Sequence, residues 1–145
     1  MFRHILIPTD GSQLAEKAIR YGIALAKEQG AKVTALTVSR PFHVVTLEPG
    51  MLADTPAAYA RHVAERTEKF LAVVSQAAKA AGVTCDILSV EHEHPYQGII
   101  DTAQNKECDL IIMASHGRGG MSAIVLGSQT LKVLTHSKVP VLVYR

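Results

Sequence analysis

The residues with the clearest chemical potential lie in a glycine-rich segment in the last third of the chain. Glycines 117, 119 and 120 leave the backbone open to close approach by a ligand. Gly127-Ser128 then opens a predicted helix, whose free N–H groups and positive dipole end favour an anion. Ser128 adds a hydroxyl donor and Arg118 a mobile positive charge. The segment therefore predicts a phosphate site.

A second interpretation of this segment stays open, in which the glycines only form tight turns and Ser128 only caps the helix. Two well-known phosphate motifs are absent from the sequence. There is no G-x-x-x-x-G-K-[ST], which excludes a P-loop nucleoside triphosphatase. No G-x-G-x-x-G follows the first predicted strand, so the dinucleotide-binding fingerprint is also missing. The phosphate interpretation therefore depends on the glycines and on the hydroxyls of Ser128 and Thr130.

The segment Pro8-Thr9-Asp10-Gly11-Ser12 also differs from an ordinary turn. It follows the first predicted strand, and ligands of open parallel sheets bind outside the carboxyl ends of the strands. If strands 1 and 4 are neighbours, this segment meets the glycine-rich one. The alternative role for Asp10 is to cap the next helix together with Gln13 in a capping box.

Short apolar runs alternate with helical stretches along the chain. We predict strands at 4–9, 32–39, 84–90, 109–114 and 139–145, and helices at 11–29, 55–81, from 95, and at 128–135. Strands separated by helices pair in parallel through right-handed crossovers. The expected fold is one α/β domain over residues 1–145, a Rossmann-like open parallel sheet with helices on both faces.

Hydrophobic spacing predicts which helix faces pack inward. Gly30 is the expected stop of the first helix. In the second long helix, Thr55 is the expected N-cap, Pro56 the first residue and Gly82 the stop. Its expected core stripe consists of Val63, Thr67, Phe70, Val74, Ala77 and Ala81. In the last helix, Leu131 and Leu134 are expected to face the core.

Composition limits the class of protein. The chain has 145 residues, is 48% hydrophobic and carries a formal net charge of +2. This small, scattered charge argues against a nucleic-acid partner. No apolar run approaches the length of a membrane helix or a signal peptide, so no membrane partner is expected. Cys85 and Cys108 form no paired motif, and a reduced, cytoplasmic protein is expected.

Three further features have a functional and a structural interpretation. His116 is conceivable as a catalytic base, although a positioning or solvent-facing role fits as well. The run from Glu91 to His94 suggests either a metal site or a polar turn before Pro95. Residues 40–54 are predicted to form a long loop, whose Met51 and Leu52 are candidates to cover a ligand or a partner.

One stretch of the chain resembles the signature of universal stress proteins. It consists of Ala114-Ser115-His116-Gly117, nine further residues and then Gly127-Ser128. That signature is Gly, two residues, Gly, nine residues, then Gly followed by Ser or Thr. HILIPTDGS at the start resembles the family's first strand and its Asp, and SKVPVLVYR at the end resembles its last strand. The resemblance therefore spans nearly the whole chain.

The resemblance implies a sheet in the order 3-2-1-4-5 and an ATP-binding module for stress response or signalling. Asp10 and the backbone of Val38 would hold adenine and ribose, and the Ala114–Gly117 turn would wrap ribose and phosphate. The phosphates would lie against Gly127–Thr130, with Mg or Mn riding on them. The last strand, 139–145, would pair with its copy in a homodimer. The full implied contact set is Pro8, Thr9, Asp10, Val38, Met113, Ala114, Ser115, His116, Gly117, Arg118, Gly127, Ser128, Gln129 and Thr130.

One position departs from the signature, because Ala114 replaces its first glycine. If that position required a positive φ, nucleotide affinity would fall. Three alternatives therefore accompany ATP binding. They are a slow ATPase or self-phosphorylating enzyme, a dimeric interaction protein that binds no nucleotide, and a module for AMP or a cyclic nucleotide.

Overall fold

The computed structural model describes residues 1–42, 55–117 and 126–145. The strands are β1 (His4–Pro8), β2 (Lys32–Ser39), β3 (Cys85–Glu91), β4 (Leu110–Ala114) and β5 (Val141–Tyr144). The helices are α1 (Gln13–Gln29), α2 (Pro56–Ala81), α3 (Pro95–Asn105) and α4 (Ser128–His136). The strands form one sheet in the order β3-β2-β1-β4-β5, with every pair parallel. This confirms the predicted sheet and its order.

Alternating side chains of the strands form a core on each face of the sheet. Ile5 and Ile7 of β1 pack with residues of α1 and α2, whereas Leu6 between them packs with residues of α3 and α4. All three side chains are fully buried. This two-residue period is that of a strand covered on both sides, and it confirms helices on both faces.

The predicted helix ends are confirmed at three positions. Thr55 is the N-cap of α2, and its side chain accepts a hydrogen bond from Ala58 N at 3.1 Å. Gly30 and Gly82 end α1 and α2 in the left-handed conformation, with φ of 66° and 73°. The N-cap of α1, however, is Ser12, whose Oγ accepts from Ala15 N. The expectation that Asp10 caps this helix in a capping box is therefore wrong.

The two leucines expected to face the core from the last helix do not do so. Leu131 is 53% exposed and Leu134 is 40% exposed, while Thr130 and Val133 are the buried residues of α4. The helix covers an edge of the sheet, where one narrow face is enough to bury the strand beside it. Its remaining apolar residues consequently stay at the surface.

Candidate functional site

A cavity of about 770 Å³ opens where β1, β2 and β4 end. It brings together the segments after β1 and β4, as predicted for neighbouring strands. Apart from the buried Ser115, every predicted contact residue that the structure describes lines this cavity: Pro8, Thr9, Asp10, Val38, Met113, Ala114, His116, Gly117, Gly127, Ser128, Gln129 and Thr130. Arg118, Met51 and Leu52 lie outside the described residues.

Hydrogen bonds fix the turn after β1 against β2. Thr9 N donates to Leu36 O at 2.8 Å, and Thr37 Oγ1 donates to Thr9 O at 3.2 Å. Ser12 N donates to Asp10 Oδ1 at 3.0 Å, which holds the carboxylate group in a local turn. Asp10 is thus positioned at the cavity by its own backbone surroundings.

Asp10 also lies directly against the turn after β4. A Cβ atom built on Gly117 would be 2.1 Å from Asp10 Oδ2, far inside van der Waals contact. Any larger residue at 117 would push the carboxylate group away. The glycine is therefore explained by close approach between the two predicted segments.

The turn after β4 is tied both to β5 and to the start of α4. Ser115 N donates to Tyr144 O at 2.8 Å, and Gly127 N donates to Ser115 O at 2.7 Å. Gly127 is the N-cap of α4, no side chain of the described residues caps this helix, and Ser128 is its first residue. The interpretation of Ser128 as only a helix cap is therefore wrong. The first backbone N–H groups of α4 have no intrahelical acceptor and are left for a ligand or solvent.

Two side chains at the start of α4 are engaged within the protein. Thr130 Oγ1 donates to Ala114 O at 2.9 Å, and Thr130 is only 4% exposed. Gln129 Oε1 accepts from Tyr96 N at 2.9 Å, which links α4 to the start of α3. The Thr130 hydroxyl proton is therefore used within the protein and its backbone N–H is what can meet an anion, whereas the Gln129 bond uses the amide oxygen and not the amide NH₂ donor.

Ala114 has none of the strain that its replacement of a glycine suggests. It belongs to β4, and the positive φ angles in the described ranges occur at Gly11, Gly30, Gly82 and Glu107. Its methyl group packs against Ala15 and Ala18 of α1. The position therefore requires no glycine-only backbone conformation.

Besides Tyr59, the ionisable side chains among the described residues that line the cavity are Asp10, Arg40, Arg66 and His116. His116 Nδ1 lies 3.2 Å from Ser115 Oγ. A hydroxyl group at this nitrogen does not stabilise an imidazolium ion as a carboxylate would. The arrangement favours holding an anionic ligand over general base catalysis.

The run from Glu91 to His94 forms the polar turn that was one of its two predicted interpretations. His94 N donates to His92 Nδ1 at 2.9 Å. Across the described ranges, no three His, Cys, Asp or Glu side chains converge in a geometry that could hold a metal ion. Burial raises the pKa of Cys85, and burial together with Asp109 raises that of Cys108 to about 11, so both thiols stay protonated at neutral pH.

One wall of the cavity was not anticipated from the sequence. It comes from the first half of α2 and consists of Tyr59, Val63, Arg66, Thr67 and Phe70. Three of these residues belong to the stripe expected to pack in the core, but the core residues of α2 are Leu71, Val74 and Ala78, with Thr67 buried at the border. The length of α2 could have indicated this wall, because a helix of 26 residues extends well beyond strands of at most eight residues.

No helix in the described stretches of the chain is both long enough and apolar enough to span a membrane.

Comparison with known proteins identifies close relatives over the full length. The universal stress protein family matches residues 1–145. A universal stress protein of Thermus aquaticus is 31% identical over 145 residues, and YxiE of Bacillus subtilis is 30% identical over 149 residues; in both cases the match covers 100% of each chain. The solved structure of MJ0577 from Methanocaldococcus jannaschii has a TM-score of 0.81 at 28% identity, covering 99% of this chain and 96% of that one.

Two further solved structures share the fold at lower identity. One is a universal stress protein in complex with cAMP, with a TM-score of 0.75 at 21% identity, covering 99% of this chain and 97% of that one. The other is the universal stress protein of Archaeoglobus fulgidus in complex with dAMP, with a TM-score of 0.68 at 16% identity, covering 100% and 98%. The family match over residues 1–145 and the full-length relatives at 30% and 31% identity establish that the chain belongs to the universal stress protein family.

Proposed function

We propose that this protein binds an adenine nucleotide, ATP above all, and acts as a nucleotide-responsive module in stress response or signalling. The observation that carries the proposal is the uncapped start of α4, which lines the same cavity as Asp10 and the turn after β4. A helix N-terminus of this kind favours phosphate. The cavity, at about 770 Å³, falls in the range of small-molecule sites.

The proposed contacts divide the cavity into two ends. Backbone N–H groups of Ser128, Gln129 and Thr130 would hold phosphate oxygens, with the Ser128 hydroxyl group beside them and Gly127 preceding them as the N-cap. Asp10 and the backbone of Val38 would hold the ribose and adenine, and the turn from Ala114 to Gly117 would lie between. A divalent ion, Mg or Mn, would be bound through the phosphates, because Asp10 is the only carboxylate among the described residues that line the cavity.

The number of phosphates is the finer point of the proposal. The two relatives solved with cAMP and with dAMP each hold an adenine nucleotide with a single phosphate. They support an adenine nucleotide for this chain without selecting ATP. The preference for ATP comes from the signature, and AMP and cyclic nucleotides serve as competitors in the test.

Rapid hydrolysis or self-phosphorylation is a weaker alternative. Phosphoryl transfer is catalysed by metal-holding carboxylates, a positioned nucleophile and cationic clamps. The described lining supplies one carboxylate, Asp10, and two guanidinium groups, Arg40 and Arg66. We therefore propose a binding protein with at most weak hydrolysis, which a turnover assay with Mg would measure.

The decisive experiment is calorimetric titration with ATP, with and without Mg, on wild type, Gly127→Asp and Gly127→Ala. Gly127 has φ of −60° and ψ of 149°, dihedral angles that other residues adopt, and a Cβ atom there would lie 3.1 Å from His116 Cα, a tight contact that both variants share. An Asp there would cap the free N–H groups and repel phosphate, whereas Ala adds the Cβ atom alone. We expect saturable binding to wild type, loss in Gly127→Asp and much smaller loss in Gly127→Ala. Equal binding to wild type and Gly127→Asp, or none to wild type, would refute the proposed site.

We also propose that the protein is a homodimer formed through residues 139–145. β5 is an edge strand, so one side of it has no partner within the sheet. Light scattering should show a dimer for wild type and a monomer for Val143→Lys, because an edge lysine opposes strand pairing between copies. Ile87→Lys on the opposite edge strand, β3, is the matched control. A dimer that survives Val143→Lys but not Ile87→Lys would place the interface at the wrong edge.

A further inference from the structure

Helix α2 extends beyond the sheet and overhangs the cavity. Its 26 residues give a length of about 39 Å at 1.5 Å per residue, whereas the eight residues of β2 span about 26 Å. The later part of the helix supplies Leu71, Val74 and Ala78 to the core. The earlier part has no buried residue before Thr67 and instead forms a wall of the cavity at the carboxyl ends of the strands.

The residues of this wall share one face of α2. Tyr59, Val63, Arg66 and Phe70 recur at steps of four, three and four, and all of them line the cavity. Both ends of the wall are anchored. The Tyr59 hydroxyl group donates to the Arg40 carbonyl oxygen, and the Phe70 ring packs against the backbone of Gly11. The wall is thus fixed to the chain segments that follow β2 and β1.

Arg66 is the one charged residue of the wall, and its neighbours on that face are apolar. Val63 lies three residues before it and Phe70 four residues after it, while its own side chain is exposed. The aliphatic part of an arginine side chain packs along such a surface and leaves the planar guanidinium group over whatever the cavity holds. The proposed phosphate donors are elsewhere, at the start of α4.

We infer that Arg66 stacks its guanidinium group on the base of the bound nucleotide and is a binding residue of the site. This inference rests on the proposed nucleotide binding and adds a contact outside the signature. An apolar and aromatic wall that carries a single arginine suits a flat heteroaromatic ring, since arginine stacks on nucleobases through its planar group.

The test compares three variants by titration with ATP and with adenosine, which has no charge. Arg66→Gln removes the cation, Arg66→Lys keeps the charge but not the plane, and Arg61→Gln is the control. Arg61 is an exposed residue of the same helix outside the cavity lining. Arg66→Gln should weaken ATP and adenosine by the same factor, about fivefold, as expected for a cation over an aromatic ring. Arg66→Lys should restore only part of the affinity, and Arg61→Gln should bind like wild type.

Three results would overturn the inference while leaving the proposed function intact. Equal affinities for Arg66→Lys and wild type would show that only the charge matters and would assign Arg66 to phosphate attraction. A loss of affinity for ATP but not for adenosine, which disappears at high salt, would also assign Arg66 to phosphate attraction. Equal affinities for Arg66→Gln and Arg61→Gln would mean that Arg66 does not touch the ligand. If wild type binds neither ligand, the proposed function fails and the inference falls with it.

Discussion

Ala114 contributes to packing rather than to backbone geometry. Its methyl group lies against Ala15 and Ala18, and its carbonyl oxygen accepts the hydroxyl proton of Thr130 at 2.9 Å. Neither interaction requires glycine. The residue is part of the strand that supports the turn, and the turn itself begins after it.

Replacing Ala114 with Gly restores the family signature, yet we expect no gain in nucleotide affinity. The substitution removes a buried methyl group and adds backbone freedom to a strand, which lowers the free energy of unfolding by about 0.5–1 kcal/mol or somewhat more. Chemical denaturation measures the loss of stability, and titration with ATP measures the affinity. A clear rise in affinity would instead show that the methyl group obstructs the ligand.

Sequence reasoning reached the site residues to different degrees. Asp10 and Gly117 could be placed together because the ends of neighbouring parallel strands meet at one edge of a sheet. The engagement of Gln129 with Tyr96 N could not be predicted, because it depends on how the start of α3 packs beside α4. The position of Arg66 at the cavity was not predicted, because helical spacing indicates which face of a helix points inward but does not distinguish a packed core from a cavity.

The contact between Gly11 and Phe70 joins the turn after β1 to helix α2. Gly11 has φ of 79°, and a Cβ atom added there would lie 2.1 Å from the Phe70 ring. The turn and the helix can approach this closely only because residue 11 lacks a side chain. This contact aligns the overhanging wall of α2 with the segment that carries Asp10.

We expect Gly11→Ala to destabilise the protein more than Gly82→Ala does. Both glycines have positive φ, so each substitution costs about 1–2 kcal/mol of backbone strain. No atom lies within 4 Å of a Cβ at Gly82, whereas at Gly11 the ring must move, which adds about 1–3 kcal/mol. Urea denaturation of the two variants measures the difference.

A double-mutant cycle separates the steric part of this cost from the backbone part. In a Phe70→Ala background, Gly11→Ala and Gly82→Ala should cost about the same free energy, because the ring is gone. If Gly11→Ala remains the more costly substitution there, the excess comes from the turn itself and not from its contact with α2.

The elements were predictable where a pattern has one physical cause. Local geometry sets the helix boundaries at Thr55, where α2 begins, and at Gly30 and Gly82, where α1 and α2 end. All three boundaries were identified correctly. The inward faces were harder to predict. Leu131 and Leu134 have the spacing of a buried stripe, but α4 lies at a sheet edge and covers too little surface to bury them.

At the scale of the whole molecule, alternating strands and helices are sufficient to predict a parallel sheet between two helical layers. Right-handed crossovers limit the possible arrangements. Crossover handedness alone does not select one strand order, because the apolar runs of β1 and β4 would be equally buried in several of the possible orders. The order 3-2-1-4-5 followed from the family resemblance, and the structure has that order.

The end of the sheet opposite the cavity contains a buried titratable group. His4 is 4% exposed, and its Nε2 atom lies 2.7 Å from Thr34 Oγ1. Burial, with a smaller effect of Lys32, lowers the pKa of His4 below 6.5, although Asp86 and Asp109 act in the opposite direction. The folded state therefore resists the proton that the unfolded chain takes up.

The sign of this linkage predicts how stability depends on pH. Between pH 6.5 and the lower pKa of folded His4, the unfolded chain binds more protons, so the free energy of unfolding falls as pH decreases. The slope from one group is at most about 1.4 kcal/mol per pH unit. His4→Gln should flatten this part of the curve, whereas His62→Gln, which removes an exposed histidine of α2, serves as the control.

Below pH 4 the His4→Gln curve should still fall, because backbone N–H groups of His4 and Arg3 outweigh burial and lower the pKa of Asp109. Urea denaturation from pH 2 to pH 8 measures both regions, and an unchanged slope near pH 6 in His4→Gln would show that the buried imidazole does not control acid stability.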